Sequence, residues 1–460
     1  MPNALGLRKG APMSEQPRPC DCEFCRDEHD FTVGDEFMDE MLSGRVVVFA
    51  GAGVSTESRR VLRWTLYDEV AAQLKLREAN LSFPDLMARF EGQPNGRMKL
   101  LKTISDRISY VDSFPELERI ATAFHRELGT LFPVQDIVTT NWDPYFERHC
   151  GATPFVVDAD LAFWEAADRR VLKIHGSIGN WGSIVATTSD YDLCHDRLTT
   201  GIVGSLLKSV LATRTVLFVG YSFSDPDFAA IYDLVCEQMK SLKRQAYVVT
   251  PFEEECSRFR DSGFVAVCTD GSHFIREIKA HAVSRGLLLE DSLFDAAADL
   301  LEDVQDEHDR LSHDVKIDEF PLAIYAGSYQ DGMLHALERA LNLRGTGQYS
   351  DPRRVHRVLR SYEEWQKKKR HAGAYEDVAY IDGYINVLVY LLMTDDERHG
   401  VEIPLYLIFG VDKDIFALEG FVELATRYPN AHKAALARAR KYVKRLQEPE
   451  RIIYHHPPWL

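Results

Sequence analysis

The stretch Val46-Val47-Val48-Phe49-Ala50-Gly51-Ala52-Gly53-Val54-Ser55-Thr56 decides how this chain is read. Val46 to Ala50 is a short, continuous, largely β-branched apolar run of the kind that forms a strand buried on both faces. It ends at Gly51 and Gly53. Beyond them Leu62, Leu66, Val70 and Leu74 recur every fourth residue, one apolar stripe on a helix. The unit therefore reads strand, glycine turn, helix. The glycines allow a sharp turn and the close approach of a phosphate, with the amides of the following helix N-terminus directed at the anion. The strict three-glycine fingerprint is missing, because no glycine sits three residues after Gly53 and no acid is clearly placed about 20 residues on for a ribose. Buried strands also end in Gly-Ala-Gly simply to turn, so the motif needs company.

The chain has 460 residues, 45% hydrophobic and 27% charged, which suits an ordinary globular protein of two domains. A formal charge of −17 argues against strong direct nucleic-acid binding, which needs a basic face. The longest apolar run, Val387 to Met393, is too short to cross a bilayer, and the N-terminus lacks a signal-peptide core, so no membrane partner and a cytoplasmic location are expected. Eight cysteines in this length are too sparse for a disulfide scaffold; Cys150, Cys194, Cys236, Cys256 and Cys268 are scattered singly, as buried thiols are.

Residues 1–30, rich in Pro, Gly and charge, read as a flexible extension. Within it Cys20, Cys22, Cys25 and His29 have the donor types of a tetrahedral zinc site, but the Cys-x-Cys spacing is tight and no second ligand pair lies nearby; incidental thiols are the competing reading. From Phe31 to about Arg285 strands alternate with helices. A helical stretch through Phe83 to Leu131 places Leu117, Ile120, Ala121, Phe124 and Leu128 on one face. Four further buried strands follow. Asp136 to Thr140 ends in Asn141-Trp142-Asp143-Pro144, Arg170 to Ile174 in His175-Gly176-Ser177, Thr215 to Val219 in Gly220-Tyr221-Ser222, and Gln245 to Val249 in Thr250-Pro251. Parallel sheets bind ligands at the carboxyl ends of their strands, where these polar and glycine residues sit. From about Asp291 strand signals stop, and stripes such as Val355, Val358, Leu359, Tyr362 and Trp365, or Leu436, Ala439, Val443 and Leu446, are helical. The expected fold is α/β, a Rossmann-like parallel sheet with helices on both faces over 31–288, followed by an all-helical regulatory or oligomerisation domain over 289–460.

Gly51-Ala52-Gly53-Val54-Ser55, Thr140-Asn141-Trp142-Asp143, His175-Gly176 and Gly220-Tyr221-Ser222, in this order and separation, resemble the sirtuin (silent information regulator) domain, in particular the bacterial branch that hydrolyses NAD in antiphage defence. The resemblance covers roughly Phe31 to Arg285. It implies that Gly51, Ala52, Gly53 and Ser55 form the phosphate-binding turn, and that Asn141 sits at the nicotinamide ribose with Asp143 holding the carboxamide. It further implies that His175 is the base on the ribose hydroxyls, that Gly220 and Ser222 line the adenosine side, and that Thr250 binds a ribose. The chemistry is consistent with that assignment: cleavage of the nicotinamide bond passes through an oxocarbenium-like cation, which asks for a preorganised polar cradle more than for a strong nucleophile. An amide orients water or hydroxyls without adding charge, and imidazoles titrate where they can accept a proton. The bland alternatives are a structural histidine and, for Asn141 and Asp143 before Pro144, a polar helix cap.

The chain departs from the classical deacetylases of the family at two places. Those enzymes carry two Cys-x-x-Cys pairs between the histidine and the later Gly-x-Ser strand, whereas this chain has only Cys194 between His175 and Gly220. No metal is therefore expected in the catalytic domain, and NAD hydrolysis is favoured over deacylation or ADP-ribosyl transfer. After Ser55, Ser58-Arg59-Arg60-Val61-Leu62-Arg63-Trp64 replaces the family's Gly-x-Pro turn, so the loop over the nicotinamide half is expected to be placed differently. NAD is the expected substrate. Relatives with a similar layout work as homo-oligomers or with a companion HerA-type ATPase or short Argonaute, and this chain has no Gly-Lys-Ser/Thr phosphate loop of its own. A reading of another class is a non-catalytic sensor of NAD or ADP-ribose.

Overall fold

The computed structural model describes residues 27–76, 80–221 and 226–445; Cys20, Cys22, Cys25, Ser222 and Leu446 lie outside the described residues. Among these, strands β1 (Val46–Ala50), β2 (Asp136–Thr139), β3 (Thr153–Phe155), β4 (Arg170–Lys173), β5 (Thr215–Val219), β6 (Ala246–Thr250) and β7 (Val265–Cys268) form one sheet in the order β3-β4-β2-β1-β5-β6-β7. Every neighbouring pair is parallel. β1 is buried along its whole length, as its unbroken apolar run requires. Alternate residues serve opposite faces. Val46, Val48 and Ala50 join Phe37, Met41, Phe124 and Phe274 in one layer, while Val47 and Phe49 join Leu207, Leu211 and Val235 in the other. Ala50 is in register with Thr139 on one side and Val219 on the other. The chain builds outward from β1 first toward β2 and β4, then toward β5 and β6, so the turn after β1 sits at the topological switch point.

The structure corrects several expectations. Ala52–Val54 is a single 3-10 turn, and the next α-helix is Leu66–Gln73, so Leu62 lies outside it and no regular helix N-terminus follows the glycines directly. The start is set by a capping box in which Thr65 accepts from the Asp68 amide and Asp68 accepts from the Thr65 amide. The stretch from Phe83 to Leu131 is four helices, Phe83–Glu91, Gly96–Asp112, Pro115–Ala121 and Ala123–Gly129. Its supposed single face is divided, with Leu117 and Ile120 against Val61 and Tyr145, and Phe124 and Leu128 under the sheet. β3 and β7, the two edge strands, escaped the sequence reading; β3 is three residues interrupted by Pro154, whereas β7 is an apolar run as long as β2 and β4. In the helix Pro352–His371 the stripe does not reach its end, for Trp365 is 39% exposed.

Beyond helix Gly271–Ser284 the chain is helical and builds a separate apolar core from Leu293 to Ala439. Its centre is the crossing of helices Ala323–Asn342 and Tyr375–Leu392. A Cβ on Gly332 would lie 1.9 Å from the Tyr380 carbonyl oxygen, and one on Gly383 would lie 1.9 Å from that of Tyr329. Reciprocal glycines thus let the two backbones touch. The helical part rests on the amino ends of the strands: Arg353 donates to the Leu42 carbonyl (2.7 Å), Leu289 to that of Ser350 (2.8 Å), and the Arg354 guanidinium lies 4.8 Å from the Phe132 ring centre. Close by, buried Arg169 donates to the carbonyls of Gly129, Leu131, Val134 and Cys150, satisfying the loops beneath β2 to β4. Among the described residues no helix is long and apolar enough to cross a membrane.

The backbone contact at the glycine crossing has no room to yield. Gly383→Ala is expected to lower unfolding free energy by about 1–3 kcal/mol, measured by urea denaturation. An unchanged midpoint would show that the helices separate freely.

Candidate active site

Three side chains spaced two apart, beginning with the last residue of β2, reach across to the end of β1 and the turn that follows it. Thr139 Oγ1 donates to the Ala50 carbonyl (2.9 Å) and accepts from the Asn141 amide (3.0 Å), Asn141 Nδ2 donates to the Gly51 carbonyl (3.1 Å), and Ser55 Oγ donates to Asp143 Oδ2 (2.6 Å). The alternation of an extended backbone places all three on one side, so side chains prolong the seam where the strand ladder ends. Asp143 Oδ1 also accepts from the amide of Tyr145 (3.2 Å), the first residue of the next helix, whose N-cap position is Pro144. The Asp143 carboxylate is thus engaged on both oxygens by the protein.

On the other flank the turns after β1 and β5 meet backbone to backbone. The Gly51 amide donates to the Val219 carbonyl and the Gly53 amide to that of Gly220, both at 3.0 Å. A Cβ on Gly51 would lie 2.3 Å from the Gly220 carbonyl oxygen, and one on Gly220, whose φ is +61°, 2.7 Å from the Val54 amide nitrogen. These glycines are therefore required first by the fold itself. Ala52 and Gly53 are exposed, leaving their main chain open to a ligand.

Asn141 is 6% exposed and its Oδ1 has no hydrogen-bond partner. Its Nδ2 is fixed as the donor to Gly51, so the buried oxygen is an acceptor held in place without a donor in the protein. His175, buried at the end of β4, meets the Tyr191 ring edge-on at 5.1 Å, and its carbonyl accepts from the Trp142 indole (3.1 Å) and the Val185 amide (3.0 Å). The Trp142 carbonyl in turn accepts from Ile178 (2.8 Å), so the Asn141 and His175 turns are tied to each other. Thr250, at the end of β6, donates to Glu255 Oε2 (2.8 Å). In order across β4, β2, β1, β5 and β6 stand His175, Asn141, the glycine turn, Gly220 and Thr250. At roughly 4.8 Å per strand spacing that row is about 19 Å long, the scale of an extended dinucleotide. Ser222 lies outside the described residues.

Sequence reading missed the supports of this row. Lys173, fully buried in β4, donates to the Asp143 carbonyl and to Glu147 Oε1 (3.0 Å). Its signal was a charge at an interior strand position two residues before His175. Arg107, 6% exposed, bonds Glu57 and donates to the carbonyls of Thr56 (3.1 Å) and Trp64 (2.7 Å), closing the neck of the loop after Ser55. The loop's far side is held by Arg60, paired with Asp27 and with Asp270 (2.8 Å). Behind Asp143, His125 is wholly enclosed by Phe124, Tyr145 and Phe146, and burial pulls it down to about 4. Burial pushes Glu147 up, opposed by Lys173. Among the described residues no group of three or more His, Cys, Asp or Glu side chains could hold a metal ion.

A SIR2-like domain model matches residues 135–267, the span from the start of β2 to the end of β7. That stretch is similar to a SIR2-like domain. The chain is also 29% identical over 242 residues to NAD(+) hydrolase ThsA of Cytobacillus dafuensis, covering 49% of this chain and 47% of that protein. It is 27% identical over 220 residues to NAD(+) hydrolase ThsA of Enterococcus faecium, covering 46% and 44%. Defense-associated sirtuin 2 of Bacillus subtilis is 24% identical over 234 residues, covering 48% and 22%. The chain thus spans less than half the length of these curated relatives, and the SIR2-like match holds Asn141, His175, Gly220 and Thr250 of the row, while the glycine turn after β1 precedes it.

His125 gives the domain a pH signature. Its folded value is depressed below the ordinary 6.5, so between about 4 and 6.5 the unfolded chain binds the extra proton. Stability is then expected to rise as pH increases across that window, and to be lost on acidification, by roughly 3 kcal/mol in all. Unfolding measured at several pH values should show this slope, and His125→Gln should flatten it.

Proposed function

We propose that this chain is an NAD hydrolase that cleaves NAD to nicotinamide and ADP-ribose in the cytoplasm and serves antiphage defence by depleting NAD. The observation that carries the reading is the buried, unpartnered Asn141 Oδ1 beside the His175 turn, in one row with the glycine turn and Thr250. The ThsA relatives, named as NAD(+) hydrolases and matched over about half of this chain, support the same reaction. The dinucleotide lies along the strand ends with its phosphates at Ala52 and Gly53, its adenosine toward Gly220, Ser222 and Thr250, and its nicotinamide ribose at Asn141 and His175.

In the reaction the bond between ribose C1′ and the nicotinamide nitrogen breaks, its electron pair leaving with nicotinamide, and a water oxygen bonds to C1′. The proton released passes to His175 and then to solvent. Asn141 Oδ1 accepts from that water or from a ribose hydroxyl, orienting it as the cation develops. Asp143 acts through Ser55, holding the phosphate turn against the Asn141 turn. Depletion of NAD requires a silent state, and we assign its release to a change of assembly, as a homo-oligomer or with a companion HerA-type ATPase or short Argonaute.

Nicotinamide release by the purified protein, alone and in infected cells, tests the reading. Asn141→Ala and His175→Ala are each expected to reduce release by on the order of 100-fold or more while the fold is retained. Tight nucleotide binding without release under either condition would point instead to a sensor.

A further inference from the structure

Resting on that reading, we propose that Lys173 is a positioning residue for NAD cleavage, a buried brace that fixes the Asn141 turn relative to His175. Lys173 ends β4 in register with Thr139 of β2, two residues before His175 on its own strand and opposite the residue from which the Asn141 turn departs. Its side chain is fully buried, and its ammonium donates to the Asp143 carbonyl and to Glu147 Oε1 at 3.0 Å. Glu147 lies in the short helix Tyr145–Cys150 that follows the turn. One cation on β4 thus grips both ends of the segment leaving β2.

A purely structural brace needs no charge here. Desolvating an ammonium costs several kcal/mol, and an apolar residue filling the same space is often equally stable. The pairing is also incomplete, since Glu147 Oε2 is buried with no partner and burial pushes its carboxyl up. An ammonium's directional grip, by contrast, sets where the Asp143 carbonyl points. That carbonyl belongs to the Asp143–Pro144 peptide, at the residue whose side chain accepts from Ser55 Oγ. The residue before it, Trp142, has its indole bonded to the His175 carbonyl. Small shifts at such a joint are costly to rate, because a displacement of about 1 Å at a reacting centre can lower it by roughly 100-fold.

The test uses the full chain with Lys173→Met, Lys173→Arg and the double variant Lys173→Met with Glu147→Met, which removes the buried charge along with its partner. Melting temperature, ADP binding, NAD binding and nicotinamide release are measured together. ADP probes the phosphate and adenosine side; NAD adds the nicotinamide side. The expected result is that the double variant melts and binds ADP as the wild type does, with unchanged stoichiometry, yet releases nicotinamide on the order of 100 times more slowly at saturating NAD. Lys173→Arg, which keeps the charge and part of the grip, should recover part of that rate. Full activity in the double variant, or a loss explained by a smaller folded fraction in every measurement, would overturn the proposal. If the wild type binds NAD but never releases nicotinamide, the hydrolase reading fails separately. Lys173 is then judged by the NAD to ADP affinity ratio, which falls in the double variant if it positions the nicotinamide side and stays constant if it does not.

Discussion

The interaction on which the rest of this structure depends is the seam of side-chain hydrogen bonds between the turn after β1 and the segment leaving β2. Backbone pairing between two parallel strands ends with the strands, and the loops beyond them would ordinarily part. Here Thr139, Asn141 and Asp143 continue the connection to Ala50, Gly51 and Ser55. On the opposite flank the glycine-to-glycine contact of the β1 and β5 turns does the same with main-chain atoms alone. The switch point of the sheet, which in an open α/β fold is a crevice, is thus floored by fixed polar groups. Preorganisation of that kind is what a reaction through a developing cation draws on, because donors and acceptors already in place need no rearrangement as charge appears.

Charge around the seam is arranged to keep it rigid. His125 is held neutral by burial behind Asp143, Lys173 faces Glu147, and Arg107 gathers the loop that follows Ser55. The loop's sequence, Ser58 to Trp64, departs from the glycine and proline turn of the classical sirtuin pattern. The structure gives the physical counterpart: arginines clamp the loop at its neck and across its span, where backbone chemistry would otherwise shape it. Surface ion pairs are weak individually. A buried guanidinium satisfying carbonyls on both arms of a loop is a stronger constraint, since removing it would leave those carbonyls unpaired.

Much of the sheet was legible because buried parallel strands carry apolar centres, and five of the seven were read from theirs. β3 is three residues with a proline at its middle, and β7, an apolar run as long as β2 and β4, is an edge with Val265 exposed. Helix starts were misread where caps outrank periodicity: Leu62 fits the stripe of Leu66 and Val70, but Thr65 and Asp68 fix the start. At the site, the residues at strand ends were visible as polar breaks in apolar runs, and the sheet order gathers Asn141, His175, the glycine turn, Gly220 and Thr250 along one edge. What lay beyond the sequence was the pairing among them. That Ser55 meets Asp143, 88 residues away, depends on strand register, which no local pattern encodes.

The placement of the helical part constrains how it can act on the site. Its contacts through Arg353, Arg354 and Leu289 lie around Leu42, Phe132 and the segment after helix Gly271–Ser284, at the amino ends of the strands, whereas the row of candidate ligand groups lies at the carboxyl ends. Covering the site by these contacts is geometrically excluded. Any influence must instead run from the amino to the carboxyl ends, and a direct route is helix Tyr145–Cys150, which packs against Arg344–Thr346 of the helical part and begins two residues after Asp143. A shift imposed on the helical part by assembly would therefore reach the Asn141 turn along that helix, to be read out against the brace that Lys173 provides from β4 through Glu147.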